Sequence, residues 1–274
     1  MNVNPEFRDL GWRHPLWDYI RFYSVIQKDG KAATRNWLDQ LRAGTFEIDA
    51  KHSVAIPEQQ ARLFARYLTI RETDMHVARA ALRTEIEALA HCQSINATVT
   101  TIKTRSANHH QSSAALVAAV SKIASDFCKM KQLTLVTAPD RRAVWFSNNH
   151  LHVTARNLDG AIPSLDSPSI IWEIKEYWGT TGGGSKMSDA VYACALVGRE
   201  LREFEERSKM DRIAHIVFLD GKGQWATRES DLRRFIDLFH QGIVDHLIIG
   251  REVQTDWLAL LKEKLGGDGP EAQP

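Results

Sequence analysis

The stretch that decides the fold is "PSIIWEIKEYWGTTGGGSK", Pro168 to Lys186. An apolar run carries Glu173 and Lys175 in its middle and then breaks into a loop rich in threonine and glycine. Side chains alternate along a strand, so Ile171, Glu173, Lys175 and Tyr177 share one face, with Trp172, Ile174 and Trp178 on the other. Glu173 and Lys175 are then neighbours about 7 Å apart. Charges in a segment that wants burial are costly, so the pair needs a reason to be there.

One reading gives the work to the glycine loop. Gly179 and Gly184 have the separation of a nucleotide-binding loop, and "IVFLD", Ile216 to Asp220, resembles a strand ending in a magnesium-binding aspartate. That loop needs its lysine directly after the last glycine and a hydroxyl next. Here Ser185 precedes Lys186, which misplaces both groups. The loop is then a connector into the helix that follows, expected to begin near Ser188. Gly182, Gly183 and Gly184 could also let the backbone approach DNA, with Ser185 and Lys186 on phosphate.

The other reading puts a metal site on the strand itself. A carboxylate at Glu173 binds magnesium, and the Lys175 ammonium orients or helps deprotonate the attacking water, or stabilises developing charge. One carboxylate rarely holds magnesium, so a second is expected from an adjacent strand. The preceding strand, "HLHVTARNLDGAIP", ends in Asp159, fourteen positions before Glu173, and Gly160 and Pro163 turn the chain back. Asp166 is the rival, but seven positions leave little room for a turn and half a strand. The bland alternative is a partly exposed edge strand with an ordinary ion pair. Acid-x-Lys also occurs at Asp29–Lys31, Asp49–Lys51 and Asp220–Lys222, in apparent turns. The apolar strand, and the aspartate before it, set Glu173–Lys175 apart.

The rest of the chain frames this site. Residues 1–101 read as a helical region: 14–30 ending at Gly30, 32–44 ending at Gly44, and one or two helices over 57–92. Its aromatics, Trp12, Trp17, Tyr19, Tyr23 and Trp37, read as core rather than as stacking platforms for nucleic acid. A helix over 112–131 takes Ser112 or Ser113 as its cap. "LTLVT" follows as a strand, then a hairpin turning at Asn148 and Asn149, whose His150 and His152 read as ordinary strand residues. After the strand over 169–178 come helix, strand, helix, strand and helix, and an apolar-free tail over 266–274 is expected to be disordered. The fold class is α/β, with a mixed central sheet flanked by helices over 102–265.

With 43% hydrophobic residues the chain can build a core, and it holds no run long enough to span a membrane. Its start lacks the pattern of a secretory signal. Cys92, Cys128 and Cys194 suggest no disulfide framework, and a reducing, cytoplasmic setting is expected. A net charge of +1 neither demands nor excludes a polyanionic partner, and the cations of 102–113 read as solvated surface.

Asp159 followed fourteen positions later by Glu-Ile-Lys, 173–175, resembles the PD-(D/E)xK nuclease superfamily, the fold of many type II restriction endonucleases. The order helix, three meandering strands, helix, strand from about Ser112 to Asp220 is similar to that family's core. The resemblance implies a restriction endonuclease-like core in which Asp159 and Glu173 bind Mg2+ and Lys175 assists the water. It departs in having Leu158 where the family's name has proline, and the helix before the meander offers only Asp126 as an acid. The expectation is a magnesium-dependent endonuclease, a homodimer acting on double-stranded DNA at a specific sequence. The alternatives are a non-cleaving protein that binds nucleic acid or a partner, and a repair or junction-resolving nuclease.

Overall fold

The structure is a computed structural model that describes residues 1–29, 56–101, 112–179 and 185–266. The stop at Gly30, the helix expected over 32–44 with its Trp37, nearly all of the 102–113 segment, Gly182–Gly184, and the expected tail beyond Gly266 lie outside the described residues.

Short helix α1 (Pro5–Arg8) and helix α2 (Leu16–Asp29) pack with α3 (Glu58–Ala81) around Phe7, Trp17, Ile20, Phe64 and Tyr67, so these aromatics are core. The segment that read as one helix or two is two. Leu82 turns extended, with ψ 138°, and Thr84 opens α4 (Glu85–Ser94) with a reciprocal cap in which Glu87 accepts from the Thr84 amide at 2.8 Å. Helix α5 (Ala115–Met130) leads to β1 (Val136–Thr137). Hairpin β2 (Val144–Ser147) and β3 (His150–Val153) follows, then β4 (Gly160–Ile162) and β5 (Ile170–Glu176). Asn148 and Asn149 turn the hairpin at φ 48° and 61°, the left-handed conformation that Asn tolerates. Helix α6 (Ser185–Ser208), strand β6 (Ala214–Asp220), short helix α7 (Lys222–Trp225), helix α8 (Glu229–His240), strand β7 (His246–Ile249), a 3-10 turn (Gly250–Gln254) and helix α9 (Asp256–Leu265) complete the chain.

The main sheet runs β1–β4–β5–β6–β7. The first three strands are antiparallel neighbours, and β5, β6 and β7 are parallel. β6 is buried along its whole length, which explains the unbroken apolar run "IVFL". On one face Val217 and Leu219 of β6 meet α6 and α8, with Met75, Ala78 and Leu82 from the α3 end. On the other, Trp172, Ile216, Phe218 and Ile248 meet α5 and α9. The end of α3 therefore shares the core of the sheet, whereas α1, α2 and the first turns of α3 form a cluster of their own. All three cysteines are free and buried, and no described helix is long and apolar enough to cross a membrane.

One buried ion pair locks the α3–α4 corner to the sheet. Arg83 Nε donates to Asp220 Oδ2 at 2.6 Å and its backbone amide to Oδ1 at 2.9 Å, with both side chains at most 1% exposed. Asp220, the aspartate of the rejected nucleotide-loop reading, thus has a structural partner. Asp220→Asn leaves the guanidinium buried without a counter-charge. It should cost about 3–5 kcal/mol in urea denaturation; an unchanged midpoint would show the pair to be dispensable.

Candidate active site

β4 pairs with β5 so that Gly160 faces Trp172. Extending that register by one residue sets Asp159 across from Glu173, on the same face of the sheet. The regular pairing stops there: the Asp159 amide donates to the Trp172 carbonyl at 3.1 Å, one residue out of that register, so Asp159 stands at an offset in the ladder, beside Trp172 and Glu173. On its other side the Asp159 carbonyl accepts from the Ala138 amide at 3.0 Å. The carboxylate is fixed as well, with Oδ2 accepting from the Ile174 amide at 2.6 Å. Gly160 makes the approach possible: a Cβ there would lie inside the Trp172 indole.

Glu173 is 1% exposed, and Lys175 Nζ donates to its Oε2 at 2.5 Å. Arg156, on the segment between β3 and β4, brings Nη1 to 3.8 Å from the same oxygen. The other carboxylate oxygen, Oε1, is buried and has no partner among the described residues. Burial by itself would raise the Glu173 pKa, but Lys175, His215 and Arg156 outweigh it and hold the carboxyl below its usual range. Asp159 goes the other way: burial raises it despite Lys175 and the Ile174 amide. Burial pulls the Lys175 ammonium toward its neutral form, and Cys194, Glu173 and Asp159 more than reverse that, so its pKa is raised. His215 lies on β6 in register with Ile171, on the Glu173 face. Its Nδ1 is 3.2 Å from the Ile243 carbonyl, and its Nε2 is buried without a partner among the described residues. Burial lowers the His215 pKa.

The structure brings Asp159, Glu173 and Lys175 together and corrects several details. The hairpin β2–β3 stands apart from the main sheet, so Asp159 does not end the "HLHV" strand; it leads into the separate short strand β4. An alternating hairpin pattern says that two strands pair, not which sheet they join. Asp166 is not beside Glu173: it is 69% exposed and paired with Arg141 at 3.3 Å. β5 is the middle strand of five, covered on both faces, which rules out the edge-strand reading. Neither Ser112 nor Ser113 caps α5. Its N-cap is Ala114, and the exposed helix amides are met from β5 instead, with Leu116 and Val117 donating to the two Glu176 oxygens at 2.8 and 3.3 Å. Ser185 is the first residue of α6, three positions earlier than expected, and its side chain lies outside the described residues; Lys186 is exposed. His152 stacks between Trp145 and Phe204, a packing role. Asp126 is exposed and paired with Lys122 at 2.7 Å. Among the described residues no group of three or more His, Cys, Asp or Glu is placed to hold a metal ion. Gly160, read as turning the chain back, is instead the first residue of β4. Sequence reasoning missed Arg156 and His215, whose neighbours lie on other strands.

Gly160→Val should destabilise the protein by about 1–3 kcal/mol in urea denaturation, because the added side chain must displace the indole that carries the β4–β5 register. Gly223→Ala, whose Cβ would meet only the Trp178 carbonyl at 3.8 Å, is the neutral control. Glu176 supplies a pH signature. Burial pushes its pKa from 4.5 up to about 7, against the lowering by the Leu116 amide, Trp178 and the Val117 amide. A folded-state pKa above the unfolded one contributes stability at low pH that is lost as pH rises from about 4.5 through about 7. Glu176→Gln removes that loss, so the Tm of the variant relative to wild type should climb across this window in thermal melts at stepped pH. A constant difference would place the Glu176 pKa near its ordinary value.

No curated protein and no solved structure matches the chain. A family model described as "Domain of unknown function (DUF7687)" matches residues 75–264, from the last turns of α3 to the end of α9. That span contains Asp159, Glu173 and Lys175 together with every strand of the sheet, and the chain belongs to that family.

Proposed function

We propose that this chain is a magnesium-dependent endonuclease that hydrolyses phosphodiester bonds of double-stranded DNA, built like a type II restriction endonuclease of the PD-(D/E)xK kind. One observation carries the reading: the Asp159 carboxylate is bonded to the Ile174 amide beside Glu173, Lys175 holds one Glu173 oxygen, and the other oxygen is buried without a described partner. A buried carboxylate oxygen left unpaired is expensive, and a cation is the partner that would satisfy it. Two carboxylates suffice for magnesium, which keeps several of its own waters and takes one or two acidic ligands. The order α5, antiparallel β1–β4–β5, α6 and parallel β6 further supports the reading, because it is the helix–meander–helix–strand order of that superfamily.

In this reading Asp159 and Glu173 hold the ion, which when bound would polarise the phosphoryl group and acidify a coordinated water. The Ile174 amide fixes the Asp159 carboxylate, so the ligand pair is oriented by backbone rather than by a mobile side chain. Lys175 places hydrogen-bond donors beside the two carboxylates, where they can orient the attacking water and neutralise charge that grows on the phosphate oxygens. Burial of Glu173 and Lys175 excludes bulk water and strengthens each of these interactions. Cutting both strands of a duplex with one site per chain calls for two chains, so a symmetric homodimer is part of the proposal.

The purified protein should cleave plasmid DNA in magnesium. Lys175→Ala should lower cleavage about 10²–10³-fold while a mobility-shift assay still detects DNA binding, and Asp166→Asn should cut as wild type does. Full activity in Lys175→Ala, or an equal loss in Asp166→Asn, would overturn the site assignment. Binding without cleavage in either magnesium or manganese would replace it with a non-cleaving nucleic-acid-binding protein on this fold.

A further inference from the structure

Arg156 lies three residues before Asp159 and is 43% exposed. Its position is fixed from both sides. Thr154 exchanges hydrogen bonds with Ala143, its amide donating to the Ala143 carbonyl at 3.0 Å and its hydroxyl accepting from the Ala143 amide at 3.2 Å. The Ala155 amide donates to Glu200 at 3.2 Å, and Asp159 is tied to Trp172. The guanidinium is thus held at the solvent side of the Asp159–Glu173 pair.

It is also underused there. The contact with Glu173 at 3.8 Å is beyond hydrogen-bonding distance, and among the described residues no acceptor takes any of its N–H groups. Some exposed arginines close on a surface acid, as Arg13 does on Glu206 at 2.7 Å and Arg79 on Glu229 at 2.8 Å; what sets Arg156 apart is that its nearest acid is the buried Glu173. Arg156 faces the buried carboxylate of the site with its fork of donors open. A planar guanidinium matches the paired oxygens of a phosphate. Lys175 is engaged with Glu173 and buried, so Arg156 is the more accessible of the two cations.

We infer that Arg156 is a substrate-binding residue whose guanidinium takes a phosphodiester oxygen of the DNA backbone next to the scissile bond. The inference rests on the nuclease reading of Asp159, Glu173 and Lys175, and it adds a residue to the site that the Asp/Glu-x-Lys pattern does not contain.

Fluorescence anisotropy of a short labelled DNA duplex, without metal and over a salt series, tests it on wild type, Arg156→Ala and Arg156→Lys, with plasmid cleavage in magnesium run in parallel. Losing one phosphate contact should reduce the slope of log affinity against log salt by about 1 in Arg156→Ala and weaken low-salt binding about tenfold. Arg156→Lys should keep the slope and recover part of the affinity. Thermal melts of the variants should stay close to wild type, because the residue is half exposed and its ion pair with Glu173 is loose, at 3.8 Å. Wild-type slope and affinity in Arg156→Ala overturn the inference whatever the cleavage result. A changed slope with no cleavage in wild type sinks the nuclease reading and leaves Arg156 as a backbone contact. No duplex binding by wild type overturns both.

Discussion

Two opposite charges, Glu173 and Lys175, sit on a strand that is covered on both faces, and the sheet is organised around keeping them paired. Neither charge would be tolerated alone at 1% and 6% exposure. Their separation of two residues puts them on one face, where the 2.5 Å contact forms. That face belongs to the central strand, so the pair is shielded by α6 from one side and flanked by β4 and β6. The opposite face of the same strand carries Trp172, packed against Trp257 and over Gly160. A single seven-residue strand therefore supplies the charge pair from one face and the packing anchor from the other.

Not every buried charge in this chain is a site, and the differences among them are instructive. Asp220 is satisfied by Arg83 and the Gly221 amide. Asp245 is surrounded by Arg8, Arg202 and Arg212 and accepts from the His215 amide; burial would raise its pKa, and the arginines hold it low. These carboxylates spend both oxygens on fixed partners and tie α1, α6 and the β6–β7 connection together. Glu173 spends only one. The unpaired Oε1 and the half-exposed Arg156 nearby separate the candidate site from the structural ion pairs, although all of them are buried acids with cationic neighbours.

Much of this was legible in the sequence, for reasons that can be named. β5 announces itself because alternation puts its charges on one face, and β6 because an unbroken apolar run fits a strand buried on both sides. The fourteen-residue spacing brought Asp159 to Glu173 although the strand it was assigned to is a separate hairpin. The error was survivable because the turn before β5 fixes the register, whatever lies upstream. The cap of α5 was not legible. A serine before a helix is the local rule, but the acceptor here comes from Glu176, some sixty residues on, and no local pattern reports it. Arg156 and His215 are invisible for the same reason: their meaning comes from neighbours on other strands.

Charge bookkeeping at the site links the proposed ion to the proposed substrate. The carboxylates of Asp159 and Glu173 carry two negative charges, and Lys175 and Arg156 carry two positive ones, so the cluster is near neutral as it stands. A divalent ion arriving alone would leave an excess of two positive charges in a place where Glu173 and Lys175 are screened from water, which is unfavourable at low effective dielectric. A phosphodiester arriving alone would find the open donors of Arg156 but would also be repelled by Glu173 and Asp159. Together they come closer to balance, most easily if Arg156 releases its loose contact with Glu173 and turns its donors to the phosphate. On the proposed reading, ion and substrate therefore favour each other's binding, and the weakness of the 3.8 Å contact is what allows the exchange.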